Sequence, residues 1–399
     1  MKEINTILKE IYIALNDQSL QSGLQRTLKN LLPASYRVLK RWPYLIKLAD
    51  EVRRIREETL KNLDYYIDET IKNVELIHGK GYFAKDRYEV IKIIDENIGN
   101  DKKLIVKAKS MVTEELKIRE HLIEKGHIVY ETDLGEFLIQ ISKDKPMHAI
   151  APAIHISKEK AVKLLKSIGC HVSEEMSYED IVKGVRVFLR EKFINADIGI
   201  SGANVVAADS GATILISNEG NIRLSTILPP IHIAIASIEK IVPTINDAYK
   251  QALVQAGYAG LYPPTYLSLT AGPSSTADIE YYRVYGVHGP REFHLILYDG
   301  GRSNAIKNQY LWEQLLCIKC GRCQAECPIW NLVANVWGGN VYGGPMGIIW
   351  TAITEDIETA AQLSLLCLGC GRCKEVCPMK INMPSIIRHL KTHVSKPVT

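Results

Sequence analysis

Eight of the nine cysteines in this 399-residue chain lie beyond residue 316, in two runs with the same spacing. The runs cover residues 317–328 and 367–378, and each reads C-x2-C-x2-C-x3-C-P with a Gly-Arg pair between the second and third cysteines. Steps of two residues allow three thiolates of one tight loop to reach three corners of an iron-sulfur cube. The spacing therefore predicts iron-sulfur chemistry, in which electrons are carried one at a time.

The last cysteine of each run is set apart from the other three. In two-cluster ferredoxins with this pattern, that cysteine ligates the cluster of the other run. We therefore expect two 4Fe-4S clusters with crossed ligands. One ligand set is Cys317, Cys320, Cys323 and Cys377, and the other is Cys367, Cys370, Cys373 and Cys327. Because these ligands leave no iron position open, the clusters are expected to relay electrons and not to bind substrate.

Zinc is the competing interpretation of the cysteine runs, since zinc also binds four thiolates. Its sites usually pair two C-x2-C steps without a third cysteine two residues further on, so the pattern favours iron and sulfur. Disulfides are disfavoured because cytoplasmic thiols stay reduced. Cys170 stands alone in the sequence and is expected to be a small buried side chain.

Carboxylates form a second group of residues with chemical potential. Glu131, Asp133 and Glu136 lie in one segment between two predicted strands, and Glu219 follows a third strand. Because α/β proteins place their sites at strand ends, these four side chains are the candidate ligand pocket, and solvated turns are the alternative. No G-x-G-x-x-G, G-x-x-x-x-G-K-[ST] or G-x-S-x-G motif is present. Nicotinamide binding and nucleotide hydrolysis are therefore unsupported.

Composition and charge indicate a globular chain of two or three domains. With 46% hydrophobic and 24% charged residues, the chain is unlike disordered, fibrous or membrane-embedded proteins. The 49 Lys and Arg exceed the 45 Asp and Glu by a formal charge of +4, which is too small and too scattered to indicate nucleic-acid binding. With neither a secretory leader nor an apolar run that could span a membrane, we expect a cytoplasmic protein.

Three segments must position these groups: helices over residues 1–75, an α/β domain over residues 76–300 and a helical cluster-binding domain over residues 301–399. In the first segment, apolar residues at helical spacing define a buried face: Leu45, Leu48, Val52, Ile55 and Leu63. The charged residues between them define a solvated face: Arg53, Arg54, Arg56, Glu57 and Glu58.

In the middle segment, short β-rich runs alternate with helical stretches, which indicates a largely parallel sheet covered on both faces. The predicted strands are residues 104–106, 128–130, 137–139, 198–200, 213–216, 232–235 and 293–297. Helices are predicted over residues 111–125 and 157–168, each followed by a glycine suited to a helix end.

From about residue 62 onward the chain resembles a known family. Its middle segment resembles the LUD (lactate utilisation) domain, and the chain as a whole is similar to the lactate utilisation protein B family. Besides both cysteine runs, the resemblance is carried by residues 106–111, 131–136, 151–155, 199–204, 218–221, 292–294, 301–303 and 342–347. It implies a fold similar to the NagB/RpiA/CoA-transferase group in the middle, and an α-helical ferredoxin like those of succinate dehydrogenase and heterodisulfide reductase at the end.

The resemblance also implies a function. The leading hypothesis is a non-catalytic, iron-sulfur electron-transfer subunit of a complex that oxidises L-lactate to pyruvate, with separately encoded subunits as partners and a small carboxylate as a candidate ligand. One alternative is the same role in another heterodisulfide-reductase-like or 2-hydroxy-acid oxidoreductase complex. Another is catalysis by the middle domain itself, and a third is a structural or redox-sensing interaction module.

Overall fold

Four helices open the described chain, in the segment where the spacing of the apolar residues predicts helical structure. The computed structural model describes residues 4–147 and 151–394. The first helices are α1 (Ile4–Asn16), α2 (Gln18–Arg41), α3 (Tyr44–Lys61) and α4 (Leu63–Leu76). On the predicted apolar face, Leu45, Val52 and Leu63 are buried.

Arg56 departs from the prediction, because its side chain is buried and does not lie on a solvated face. Its guanidinium donates to the main-chain oxygens of Glu239, Leu315 and Leu316 at 2.6–3.0 Å. It also donates to the side chain of Gln251 at 2.8 Å. A helical pattern cannot reveal these acceptors, since they come from segments far along the chain. Through Arg56, α3 is tied to the residues that precede the first cysteine run.

The middle of the chain contains strands and helices in alternation. The strands are β1 (Lys80–Ala84), β2 (Leu104–Lys107), β3 (Ile128–Glu131), β4 (Ile198–Gly202), β5 (Val205–Ala207), β6 (Ala212–Ser217), β7 (Ile231–Ser237), β8 (Ile241–Val242), β9 (Tyr266–Thr270), β10 (Ser275–Thr276), β11 (Val284–Tyr285) and β12 (Glu292–Tyr298). The helices are α5 (Arg87–Ile98), α6 (Met111–Glu115), α7 (Ile118–Glu124), α8 (Leu134–Ser142), α9 (Lys158–Ser167), α10 (Tyr178–Ile194), α11 (Asn221–Ile227) and α12 (Ile245–Tyr258).

The main sheet has six strands in the order β1-β12-β7-β4-β2-β3, and every neighbouring pair is parallel. In its register, Gly199 of β4 lies opposite His232 of β7, which in turn lies opposite Phe293 of β12. A smaller sheet has the order β8-β5-β6-β9, with one parallel and two antiparallel pairs, and β10 pairs with β11. The parallel α/β architecture predicted from the sequence is therefore confirmed.

Both faces of the main sheet are covered. Ile233 and Ile235 of β7 lie in a core shared with α5, α6 and α7. The alternate residues Ala234 and Ala236 face the other side, where they join a core formed with the N-terminal helices and the C-terminal helices. Side chains alternate across a strand, so a run of small and β-branched apolar residues buries both faces.

Two predicted elements of the middle segment differ from the structure. Residues 137–139 were expected to form a strand but belong to α8. The Asp133 side chain accepts a hydrogen bond from the Glu136 amide at 3.0 Å and caps this helix, so the acidic run is a helix start and not an open turn. A short apolar run does not by itself distinguish a buried strand from a buried helix. The predicted helix over residues 111–125 is divided into α6 and α7 at Lys117, whose φ is 50°.

The C-terminal segment is helical, as predicted. Its helices are α13 (Arg302–Lys307), α14 (Arg322–Ala325), α15 (Trp330–Val333), α16 (Gly344–Thr354), α17 (Ile357–Ser364), α18 (Arg372–Glu375) and α19 (Met383–Lys391). The apolar helix α16 lies at the centre, with Ile348, Ile349 and Trp350 buried. Across residues 4–147 and 151–394, no helix combines the length and the apolar character needed to cross a membrane.

Candidate functional site

The two cysteine loops share a backbone conformation at two positions. Lys319 and Gly369, which precede the second cysteine of each run, have φ values of 56° and 67°. Gly321 and Gly371, which follow that cysteine, have φ values of 76° and 81°. These left-handed residues curl the chain tightly between the first and third cysteines, and each loop then enters a one-turn helix, α14 or α18.

The C-terminal segment contains two small cavities, and each is lined by four cysteines. The first cysteine cavity contains about 280 Å³ of empty space, part of it open to solvent, and is lined by Cys317, Cys320, Cys323 and Cys377. The second cysteine cavity contains about 340 Å³ of empty space, also partly open to solvent, and is lined by Cys327, Cys367, Cys370 and Cys373. In both cavities, three sulfurs come from one run and the fourth comes from the other.

The donor set of each cysteine cavity fits a 4Fe-4S cluster. Among the described residues, no three His, Cys, Asp or Glu side chains converge closely enough to hold one metal ion. Each cavity is instead surrounded by four separate thiols, a donor set that fits a 4Fe-4S cube.

Burial favours the protonated form of several of these cysteine thiols in the absence of a metal. Burial raises the pKa of Cys320, Cys373 and Cys377 to about 12, and the neighbouring thiols act in the same direction. Main-chain amides partly offset this effect, since those of Met379 and Ile381 donate toward the Cys377 sulfur. Iron binding would have to displace the protons of these thiols. Hydrogen bonds from main-chain amides would then stabilise the negative charge on the sulfur atoms.

The two cysteine cavities differ in their exposure to solvent. The first loop, residues 317–323, is buried or half-buried throughout. In the second loop, Cys370 is exposed, and the neighbouring Leu368 is 67% exposed. The equivalent arginines differ in the same way, because Arg322 is buried against Tyr36 whereas Arg372 is exposed and pairs with Glu326 at 2.7 Å. One cysteine cavity therefore faces the interior, and the other lies at the surface.

A third and larger cavity, here called the central cavity, opens beside the first cysteine cavity. It contains about 1360 Å³ of empty space that is open to solvent. Its walls include residues that follow the carboxyl ends of parallel strands: Lys109 and Ser110 after β2, Asp133 after β3, Ala203 and Asn204 after β4, and Lys240 after β7. This edge of an open parallel sheet is where α/β proteins bind their ligands.

The central cavity and the first cysteine cavity share a wall. Cys317, Ile318 and Cys320 line both of them. The basic residues Arg56 and Lys319 line the central cavity beside this wall. A ligand in the central cavity would thus lie next to two of the cysteines that surround the first cysteine cavity.

The structure divides the four predicted pocket carboxylates into two pairs. Asp133 and Glu219 line the central cavity, and partial burial, together with the nearby Asp133, raises the pKa of Glu219. Glu131 and Glu136 are buried and do not line it. Glu131 pairs with Lys107 at 2.9 Å, and Glu136 lies 3.8 Å from Lys109.

The basic residues of the central cavity were not among the predicted site residues. Lys240 donates to the main-chain oxygen of Ala203 at 2.6 Å. Burial lowers the pKa of Lys240 to about 7, and the neighbouring Lys319 acts in the same direction. The position of Lys240 just after a predicted parallel strand was the one sequence feature that could have indicated a site residue. No feature of the sequence marks Arg56 as a residue of the cavity.

A buried ionic network links the sheet to the first cysteine loop. Glu239, directly after β7, accepts hydrogen bonds from Lys319 and, at 2.7 Å, from Arg302. Although burial opposes ionisation, Lys319 and Arg302 hold the pKa of Glu239 well below its usual range. Arg302 also makes two hydrogen bonds with Glu115 at 2.9–3.0 Å, so the network spans α6, β7 and the C-terminal segment.

Comparison with known proteins agrees with this architecture. Residues 67–298 match the LUD domain family model, and residues 313–381 match the 4Fe-4S dicluster domain model. Lactate utilization protein B of Shouchella clausii is 35% identical over 345 residues, which cover 86% of this chain and 70% of that protein. The Bacillus subtilis protein of the same name is 36% identical over 332 residues, which cover 82% of this chain and 66% of that protein.

The matched regions therefore span about two thirds of the length of these relatives. A solved structure of a DUF162 family protein from Deinococcus radiodurans aligns with 60% of this chain and 98% of its own, at 16% identity and a TM-score of 0.29. The resemblance seen in the sequence is confirmed by the family models and the curated relatives. The chain belongs to the LUD domain family, in the group that includes lactate utilization protein B, and carries a 4Fe-4S dicluster domain.

Proposed function

We propose that this chain is an electron-transfer subunit of lactate utilisation, with one 4Fe-4S cluster in each cysteine cavity. The observation that carries the proposal is the crossed grouping of the eight cysteines into two sets of four. When bound, the clusters supply one-electron transfer. They would accept, one at a time, the two electrons that are released when L-lactate is oxidised to pyruvate. The link to lactate rests on the relatives named lactate utilization protein B.

The surroundings of the two cavities support a direction for the relay. The first cysteine cavity adjoins the central cavity inside the molecule, so its cysteines are placed to exchange electrons with whatever binds there. The second lies at the surface, where Cys370 is exposed and the apolar Leu368 projects beside it. Electron transfer requires close approach, so a partner subunit is expected to dock over the second loop.

Elemental analysis of anaerobically purified protein tests the proposal. We expect iron and acid-labile sulfide for two 4Fe-4S clusters per chain, with a brown colour that dithionite bleaches. The matched control is Cys170→Ser, because Cys170 is buried in the core between α9 and α10, away from both cysteine cavities. That variant should keep the full iron content, whereas Cys320→Ser should lose half of it. A colourless protein that holds zinc would overturn the proposal.

A further inference from the structure

Helix α2 carries charge of one sign only. Its 24 residues include five basic side chains and no acidic one. All five are exposed: Arg26, Lys29, Arg37, Lys40 and Arg41. The neighbouring helix α3 has basic side chains too, but it mixes them with four carboxylates, which is the usual composition of a solvated helix surface. The charge of α2 is therefore not explained by solvation alone.

Four of these basic residues lie on one face of α2. Arg26 and Arg37 are about three helical turns apart, and so are Lys29 and Lys40, so the four side chains line up along the helix. The opposite face of α2 is apolar and packs into the core that the N-terminal helices share with the sheet. We call Arg26, Lys29, Arg37 and Lys40 the basic face of α2.

The basic face has no negative counterpart within the protein. Across residues 4–147 and 151–394, none of its four side chains forms an ion pair or a hydrogen bond. Side chains three residues apart on a helix are neighbours, so Arg26 repels Lys29, and Arg37 repels Lys40. This repulsion destabilises the helix in the isolated chain, and contact with a surface of opposite charge would offset it.

Helix α2 also adjoins the second cysteine loop. Tyr36 of α2 donates a hydrogen bond to the carboxylate of Glu326, and Arg372 of the second loop pairs with the same carboxylate at 2.7 Å. The exposed charged residues of that loop are Arg372, Lys374 and Glu375, which together carry a net positive charge. Positive charge thus continues from α2 to the loop that holds the exposed Cys370.

We propose that the basic face of α2 and the second cysteine loop together dock an acidic surface of an electron-transfer partner protein. The inference deepens the proposed function and rests on it, because it names the chemistry of the partner that is expected over the second loop. A membrane surface fits less well. Helices that bind a bilayer insert their apolar side, whereas the apolar side of α2 is buried in this protein, with Leu20, Leu24 and Val38 at most 7% exposed.

The test is fluorescence anisotropy of a labelled poly-glutamate peptide that is titrated with anaerobic holoprotein at low and at high salt. We expect saturable binding that weakens with salt, and no binding of a poly-lysine peptide of equal length. The double variant Arg37→Glu/Lys40→Glu should bind the poly-glutamate peptide about tenfold more weakly. The matched control is Lys163→Glu/Lys166→Glu on the exposed side of α9, which removes the same charge and should change the affinity less than about twofold.

Oxidation of the reduced holoprotein by two cobalt complexes tests whether the basic face acts beside the second cysteine cavity. Each electron that leaves a reduced cluster converts one cobalt(III) to cobalt(II). The anion tris(oxalato)cobaltate(III) should oxidise Arg37→Glu/Lys40→Glu about threefold or more slowly than the unchanged protein, because the attracting cations are lost. The cation hexaamminecobalt(III) should oxidise the variant at least as fast as the unchanged protein. Stopped-flow absorbance measures both rates.

The neutral double variant Arg26→Gln/Lys29→Gln provides a second measurement if circular dichroism shows that the charge-reversed variant folds poorly. It should bind the poly-glutamate peptide about threefold more weakly. Equal affinity of the charge-reversed variant and its α9 control would overturn the inference. Binding to phosphatidylserine vesicles without binding to the peptide would also overturn it, since the face would then serve a membrane.

The failure of this inference is distinguishable from the failure of the proposed function. If electron paramagnetic resonance shows both clusters while charge reversal changes neither peptide binding nor the cobalt rates, the docking surface is wrong and the relay stands. If the clusters are absent, the proposed function itself fails.

Discussion

At the scale of single residues, the central feature is that the fourth cysteine of each run lines the cavity of the other run. Cys377 lines the first cysteine cavity with three cysteines that lie more than fifty residues earlier in the chain, and Cys327 lines the second. The spacing of the cysteines predicts this crossing, because the three-residue step carries the last sulfur away from its own loop. The basic residues of the central cavity were not predictable in the same way, because no motif marks Lys240 or Arg56.

Paired substitutions test the crossed ligands directly. Cys377→Ala and Cys320→Ala should remove the same cluster, while Cys327→Ala and Cys370→Ala should remove the other one, because each pair lines one cavity. Electron paramagnetic resonance of the reduced variants measures which signal remains. If Cys377→Ala instead leaves the same signal as Cys370→Ala, each run binds its own cluster and the crossed assignment is wrong.

The buried His232 gives a pH dependence of stability. Burial lowers the pKa of His232 to about 3, against 6.5 for the free side chain. The unfolded chain therefore binds a proton at this position below about pH 6.5 while the folded chain does not, so acidification favours unfolding. Between pH 7 and pH 5.5 this group should remove about 1 kcal/mol from the free energy of unfolding.

His232→Gln isolates this contribution, because every other titrating group is common to both proteins. Anaerobic urea unfolding followed by circular dichroism should show a smaller loss of stability in the variant over the same pH interval. An identical loss in both proteins would mean that His232 titrates normally in the folded chain.

At the scale of helices and strands, the sequence was informative where a pattern is local. The alternation of strands and helices, the helical N-terminal segment and the helical C-terminal segment all follow from hydrophobic periodicity. Prediction failed where a tertiary contact or a cap decided the outcome. The apolar run of residues 137–139 is compatible with either a strand or a helix, and the cap that Asp133 forms on the Glu136 amide favours the helix. The position of Arg56 was missed because its acceptors lie on other elements.

Arg56 is the element-scale test, because it holds α3 against the chain before the first cysteine loop. Arg56→Leu leaves three buried main-chain oxygens without this donor and should lower the free energy of unfolding by about 3 kcal/mol. Arg54→Leu, on the exposed side of the same helix, should change it by less than about 0.5 kcal/mol. Urea unfolding of both variants measures the difference, and similar midpoints would show that Arg56 contributes little.

At the scale of the whole molecule, the N-terminal helices, one face of the sheet and the C-terminal helices share a continuous apolar core. The ionic network of Glu239, Arg302 and Lys319 crosses the same junction. The central cavity, the first cysteine cavity and the second cysteine cavity follow one another from the sheet edge to the surface. In this order, the first cysteine cavity adjoins the central cavity, and the second cysteine cavity carries the exposed loop.

The difference in burial predicts an order of cluster loss. An iron chelator should remove the cluster of the second cysteine cavity first, because Cys370 is exposed whereas the first loop is buried or half-buried. The measurement is anaerobic incubation with the chelator, followed by reduction and electron paramagnetic resonance at successive times. Samples taken midway should match the spectrum of Cys370→Ala, and a match with Cys320→Ala would contradict the assigned burial.

The most direct test of the account is the electron paramagnetic resonance spectrum of the unchanged holoprotein after full reduction with dithionite. Two reduced 4Fe-4S clusters held by crossed ligands in one small domain lie close together, so we predict the broadened spectrum of two interacting spins. Single substitutions in either cysteine set should convert it into a simple uncoupled signal. A spectrum without reduced 4Fe-4S signals, or a single isolated cluster in the unchanged protein, would contradict the account.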